Sequence, residues 1–179
     1  MKKVLSVIAF AAFAACSQAP VQKIAVEEWV DGIVRQYPNL HSNDISNSIV
    51  RDSVAAYTKR FVGGEAALLS DVKFRFVKMT EKADSFTVFF DATNCYSDID
   101  NETVPNGHIF TDINIRVVSK VDKGTAAGLD KSHNYFIEGK VHAWDENDRF
   151  FITNHTGDYI DLGTFILDDI VIHEVVNEQ

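Results

Sequence analysis

The chain has 179 residues, 46% of them hydrophobic, 24% charged and 11% aromatic, a mix that describes a folded domain and excludes a disordered or collagen-like chain. Three prolines and nine glycines are too few for a linker-dominated sequence, so a single domain is expected. A net charge of -9 argues against general affinity for nucleic acid or anionic lipid head groups.

Met1, Lys2 and Lys3 form a positive start, and Val4 to Ala15 is apolar and rich in small residues, the layout of a secretory signal peptide. Twelve residues at ~1.5 Å rise reach only ~18 Å, short of the ~30 Å of a bilayer's hydrocarbon core. The run ends in Phe13-Ala14-Ala15-Cys16, which resembles the lipobox of bacterial lipoproteins. The resemblance implies that residues 1–15 are removed, that Cys16 is acylated and becomes the N-terminus, and that residues 16–23 tether the domain to a membrane. Ser17 after the cysteine, where sorting to the inner membrane uses Asp, implies an outer-membrane lipoprotein facing the periplasm. A second reading stays open, because Ala12-Phe13-Ala14 also has the A-x-A form of an ordinary cleavage site. Cys16 would then be unlipidated and could pair with Cys95, the other cysteine of the chain. With Cys16 acylated, Cys95 reads as a buried, inert thiol; a catalytic role would need a base or cation beside it, and nothing local fixes His108 there.

The domain proper is expected over residues 24–179, with helices within 26–61 and a β unit over 68–176. Val26, Trp29, Val30, Ile33, Val34 and Tyr37 share one helical face, and Pro38 ends the run. After the capping oxygens of Ser42, Asn43 and Asp44, a second helix is expected to align Ile45, Ile49, Ser53, Val54, Tyr57 and Phe61 before Gly63-Gly64 stops it. Beyond Leu68 the period becomes 2. Val72, Phe74 and Phe76, then Phe86, Val88 and Phe90, predict a hairpin across the polar stretch from Thr80 to Ser85. A third strand is expected from Ile109 to Val117 and a fourth along Tyr135, Ile137, Gly139, Val141 and Ala143, with a polar break between them that holds a helical turn at Ala126-Ala127. The fourth strand leads through Asp145-Glu146-Asn147-Asp148 to Phe150, Phe151 and Ile152, a turn near Gly157 leads to Ile160 and Leu162, and a closing strand from Phe165 to Val175 is broken at Asp168-Asp169.

Strands at hairpin spacing without crossover helices imply an α+β protein: two N-terminal helices followed by an antiparallel β-barrel or sandwich. Tyr135 to Val141, Arg149 to Ile152 and Gly157 to Leu162 resemble the opening three strands of an OB-fold, a resemblance confined to residues 135–162.

Few residues point to chemistry. No G-x-S-x-G, G-x-G-x-x-G, phosphate loop or C-x-x-C occurs, and no cofactor is implied. His173-Glu174-Val175-Val176-Asn177 lacks the second histidine of a zinc-protease helix, and in a strand its ends would lie ~13 Å apart. The histidines at 41, 108, 133, 142, 155 and 173 have no ligand-like spacing. Asp98, Asp100 and Glu102 are candidate metal ligands, since carboxylates at every second position of a bent loop can converge on a hard cation; a solvated acidic loop is the simpler reading. Phe136 and Trp144 share a strand face with Glu138, Lys140 and His142, and with Phe151 they are candidate partner contacts beside the acidic turn 145–148. Packing beneath a helix is the competing use of these rings. The chain therefore reads as a non-catalytic envelope lipoprotein, a binding or assembly module for an envelope protein or glycan and not for nucleic acid. The rival is a periplasmic hydrolase using His and carboxylate groups at the barrel mouth.

Overall fold

The computed structural model describes residues 22–40, 43–83, 85–100, 102, 107–146, 152–154 and 157–176. The expected targeting segment, Cys16, most of the expected tether, His41, His155, Asn147, Asp148 and the aromatic pair Phe150 and Phe151 lie outside the described residues.

Helix α1 spans Ala25–Gln36 and buries Val26, Val30, Ile33 and Val34, the face that the periodicity marks. Helix α2, Asp44–Thr58, starts where Asn43 Oδ1 accepts from the backbone N–H groups of Ile45 (3.0 Å) and Ser46 (3.2 Å). Its buried face agrees with the expected one at Val54 and at half-buried Tyr57 and Phe61, and differs toward the N-terminus. Val50, Val54 and Thr58 are inside, whereas Ile45 and Ile49 are 74% and 45% exposed and Ser53 is exposed. The reason is local: the helix is anchored at its C-terminal end, where Tyr57 stacks on Trp29 with ring centroids 4.1 Å apart and meets Phe61 edge-on at 5.4 Å. The helix is extended by a 3-10 turn, Lys59–Phe61, and Gly63 then takes φ +85°, a conformation that an L side chain adopts only with strain.

Seven strands follow among the described residues: β1 Phe74–Lys82, β2 Ser85–Ala92, β3 Tyr96–Asp100, β4 His108–Val121, β5 Asn134–Asp145, β6 Ile152–Asn154 and β7 Gly157–Glu174. The hairpin of β1 and β2 forms as expected, with both strands running further into the polar stretch, to Lys82 and Ser85. In the sheet, β4, β2, β1, β5 and β7 are consecutive neighbours, and β7 returns to pair with β4, closing a five-stranded barrel. That closing pair is parallel, so the barrel is mixed and not wholly antiparallel. A ring with an odd number of strands cannot alternate direction all the way round; at least one neighbouring pair must run the same way. Numbered in chain order, the barrel strands follow one another around the ring as first, second, third, fifth, fourth. Tyr135 lies near the start of the fourth, so the stretch 135–162 spans the end of the barrel and not its opening.

Two further differences concern the strands themselves. The acidic loop expected after Cys95 is largely strand β3, which extends the line of β2 past a kink at Asn94 (φ 53°) and pairs with the first half of β4. The break expected at Asp168-Asp169 is a bulge inside one long β7: Asp169 takes φ 50°, and the register moves between the pairs Glu138↔Val171 and Lys140↔Asp168. A short helix α3, Lys123–Ala127, bridges β4 to β5 and is capped by Asp122, whose carboxylate accepts from Thr125 N–H at 2.9 Å.

The core fills the barrel and continues beneath the helices. Phe90 meets Phe76 at 5.9 Å and Tyr135 at 6.1 Å, both edge-on, with Phe74, Phe165 and Leu167 fully enclosed. Helix α1 is fastened to β3 by a polar knot. Buried Asp31 accepts from Ser97 Oγ at 2.6 Å and from Lys23 Nζ at 2.5 Å, while Glu27 accepts from the Tyr96 N–H at 3.3 Å on the strand's outer edge. These side chains occupy part of an edge that would otherwise invite another strand.

Candidate functional site

The candidates read from sequence are dispersed over the molecule. Asp98 and Asp100 project from the outer face of β3 toward His108 on β4, whose ring nitrogens lie 3.1 Å and 3.7 Å from the two carboxylates. Glu102 is exposed in the following turn, and among the described residues no group of three His, Cys, Asp or Glu side chains is placed to hold a metal ion. Cys95 is 7% exposed and carries a free thiol. Burial, with a smaller contribution from the Glu27 carboxylate, pushes that thiol up to about 12, which suits the inert reading and not a nucleophile.

Trp144 is half-buried; its indole N–H donates to the Leu162 carbonyl at 2.7 Å, and the Lys59 ammonium lies 5.9 Å from the ring centroid. It packs against the core as well as bordering the surface. Phe136 is half-buried beside a shallow depression shared with Leu69, Glu138 and His173. The two rings therefore lie near opposite ends of β5 and do not form one patch. His142, His133 and His173 each face a carboxylate, at 2.9 Å from Asp168, 2.9 Å from Glu174 and 3.9 Å from Glu138, all along the exposed side of the β5–β7 ladder.

A different site emerges where the barrel strands run side by side. Arg75 of β1 lies opposite Asp91 of β2, Asp91 opposite Arg116 of β4, and Arg116 opposite Thr164 of β7, a polar row across four strands. One step along, Lys78, Phe89, Val118 and Ile166 make a second row. Between them lies a depression of about 340 Å³ lined by Val77, Lys78, Phe89, Asp91, Arg116 and Thr164. A neighbouring one of about 370 Å³ reaches Arg75 and Asn114 and shares Asp91 and Arg116 with the first, so the two make one groove.

Two bulges frame this groove. In β1 the register slips at Val77, between Phe76↔Phe90 and Lys78↔Phe89, and this sets Lys78 against Phe89 with its ammonium 4.7 Å from the ring centroid. In β7 the register slips between Asn114↔Asp161 and Arg116↔Thr164, with Gly163 at φ +84°. A Cβ there would stand 2.4 Å from the Asp145 carbonyl oxygen, so the bulge requires glycine. Its N–H donates to Asp161 Oδ1 at 2.8 Å, and the other oxygen of Asp161 accepts from the Arg116 guanidinium. Bulges re-aim side chains, and this one fixes an arginine on the outer wall. Thr164 also pairs with Asp145, the first residue of the acidic turn predicted as a contact region.

No single stretch of sequence announces the site, because its rows are assembled from four strands. The one local signal was the departure from alternation, Val77 after Phe76 and Leu162-Gly163 before Thr164, where an extra residue shifts the phase of a strand. Another depression, of about 650 Å³, lies between Lys23, Glu27, Lys73 and Tyr96, and two of its charged residues, Lys23 and Glu27, belong to the contacts that fasten α1 to β3.

No family model matches the chain, and no match is found among curated proteins or among solved structures.

Proposed function

We propose that the chain is a non-catalytic envelope lipoprotein whose barrel is of OB type and binds its ligand on the outer wall formed by β1, β2 and β4. The ring order first, second, third, fifth, fourth, with the third and fifth strands parallel, supports the OB reading. In such barrels the face of the second and third strands is a recurrent ligand surface, and here these strands are β2 and β4. The observation that carries the functional reading is the groove itself. Two strand irregularities, one of them a bulge whose positive φ and close Asp145 carbonyl only glycine accommodates, lie where they aim Lys78 and Arg116 beside an aromatic ring. Bulges recur beside functional sites, where they re-aim side chains.

Anchoring by acyl chains at Cys16 suits a chain that loses Lys2 and Lys3 with the signal peptide, so that its side chains sum to 15 minus 26, or -11, an acidity ill suited to a polybasic second membrane signal. Outer-membrane residence facing the periplasm follows from the same lipobox reading. A hydrolase would call for histidine and carboxylate groups gathered at the barrel mouth; the pairs of His133, His142 and His173 lie instead along an exposed strand face, and His108, which faces both Asp98 and Asp100, stands with them on the exposed outer face of β3 and β4.

Both parts are open to test. Cys16→Ser in the full chain is expected to move the protein from the membrane fraction to the soluble one and to abolish the mass added by acyl chains; retention with unchanged mass would refute the anchor. The detergent-solubilised parent is expected to co-sediment with polysaccharide isolated from bacterial envelopes. If it binds only envelope proteins, the module serves assembly and the wall is not a glycan surface.

A further inference from the structure

We infer that the free edge of β1, residues 77–82, takes an extended acidic segment of a protein partner as an added strand, with Lys78 and Lys82 receiving carboxylates from alternate residues of that segment. The edge lies beside the outer-wall groove and engages its partner through backbone groups, whatever the groove itself binds.

The edge arises from a mismatch in strand length. β1 is paired with β2 from Phe74 to Lys82, whereas β5 begins at Asn134 and meets β1 only at Phe74↔Tyr135 and Arg75↔Asn134. Beyond Arg75, no described residue pairs with β1 on the side away from β2. Val77 is half-buried and residues 78–82 are exposed. At ~3.4 Å per residue, residues 77–82 offer about 20 Å of open backbone, the length of an ordinary strand. Alternate N–H and C=O groups along it point away from β2, and an extended chain satisfies them as a longer β5 would.

The partner's chemistry follows from the two faces of the strand. The register sets Lys78, Thr80 and Lys82 opposite Phe89, Thr87 and Ser85 on the outer face, and Met79 opposite fully buried Val88 on the inner one. In β4, Val118 and Lys120 continue the outer rows of Phe89 and Thr87. These outward residues include Lys78, Lys82 and Lys120 and no acid, the reverse of the balance over a chain with a net charge of -9. The Lys78 ammonium rests 4.7 Å from the Phe89 centroid, which keeps it on the outer face and covers that ring. A residue of an added strand points to the same face as the β1 residue it meets. Acids at every second position therefore face Lys78, Thr80 and Lys82, and the residues between them lie beside Met79, which is 38% exposed. Lysines on an edge also discourage pairing, but selectively: they repel a basic strand and favour an acidic one. A second copy of the chain is the poorer occupant, because two molecules of net charge -9 repel each other.

The test uses the full-length protein in detergent and end-blocked peptides of about eight residues. One alternates Val and Glu, one alternates Val and Lys, and two are the Glu peptide N-methylated either at its Val or at its Glu residues. By calorimetry the Glu peptide is expected to bind at least tenfold more tightly than the Lys peptide. One methylated form is expected to bind like the unmethylated peptide and the other to lose binding, because only alternate N–H groups face the edge. Within residues 77–82, the amides not bonded to β2 are expected to exchange at least tenfold more slowly once the Glu peptide is added. The double variant Lys78→Gln, Lys82→Gln, at two exposed positions, is expected to lower the preference for the Glu peptide at least fivefold. Equal binding of the Glu and Lys peptides would overturn the charge assignment, and undiminished binding of both methylated forms would overturn strand addition. Failure of the Glu peptide to bind would overturn the inference as a whole. Protection of the same amides in the protein alone would show the edge already covered by a second copy or by the chain itself, and would overturn it equally.

Discussion

Gly163 joins three features that would otherwise look unrelated. It lets β7 bulge, it leaves room for the Asp145 carbonyl and the Trp144 indole, and its N–H holds the carboxylate that positions Arg116. Gly163→Ala must displace a backbone oxygen and accept an unfavourable φ, and is expected to cost about 3 kcal/mol in urea unfolding. Wild-type stability in this variant would show that the bulge is not constrained as described. Cys95 is the opposite case, a residue whose chemistry is suppressed. With Cys16→Ser leaving a single thiol, iodoacetamide at pH 8 is expected to label Cys95 at least a hundredfold more slowly in the native protein than in urea. The linked effect on stability has a definite sign: between 9.0 and about 12 the unfolded chain releases a thiol proton that the folded chain keeps, so stability falls as pH rises through that window and is unaffected below it. A pH-independent stability across the window would contradict the burial.

Among the elements, α1 was legible because five apolar side chains repeat on one face with little competition from the others. In α2 the stripe through Ile45, Ile49 and Ser53 and the stripe through Val50, Val54 and Thr58 lie side by side, and periodicity alone does not say which row meets the core. Tertiary contact decides it, through Trp29 on Tyr57. Val54→Ala is therefore expected to cost about 2 kcal/mol, and Ile45→Ala to stay within about 0.5 kcal/mol, in the same denaturation assay. Comparable losses at both positions would mean that the N-terminal half of α2 is covered in solution. Strand β3 was hidden because its inward residues include Ser97, a polar residue that hydrogen-bonds buried Asp31, and only Ile99 gives a strong apolar signal. The Asp168-Asp169 bulge looked like a strand's end for a related reason: a phase shift and a chain break give the same interruption of alternation.

At the scale of the molecule, the fold class was legible and the closure was not. Runs of period 2 after two helices predict a helix-plus-barrel or sandwich protein, but the parallel pairing of β4 with β7 joins Asp112 to Tyr159 and Ser119 to Leu167, across some forty to fifty residues of sequence, and no local pattern encodes it. The same closure makes the candidate site. Arg75, Asp91, Arg116 and Thr164 are neighbours only once four strands are in register, whereas the acidic and aromatic residues that stood out in the sequence, Asp98, Asp100, Phe136 and Trp144, are distributed over separate surfaces. The central claim is that the outer wall of β1, β2 and β4 is where this protein meets its ligand. The most direct measurement places the photoreactive residue p-benzoylphenylalanine at position 89, and in a parallel strain at exposed position 45, in the full chain in living cells. Carbohydrate-bearing adducts from position 89 and none from position 45 are predicted; no adduct from position 89, or equal adducts from both, would contradict the account.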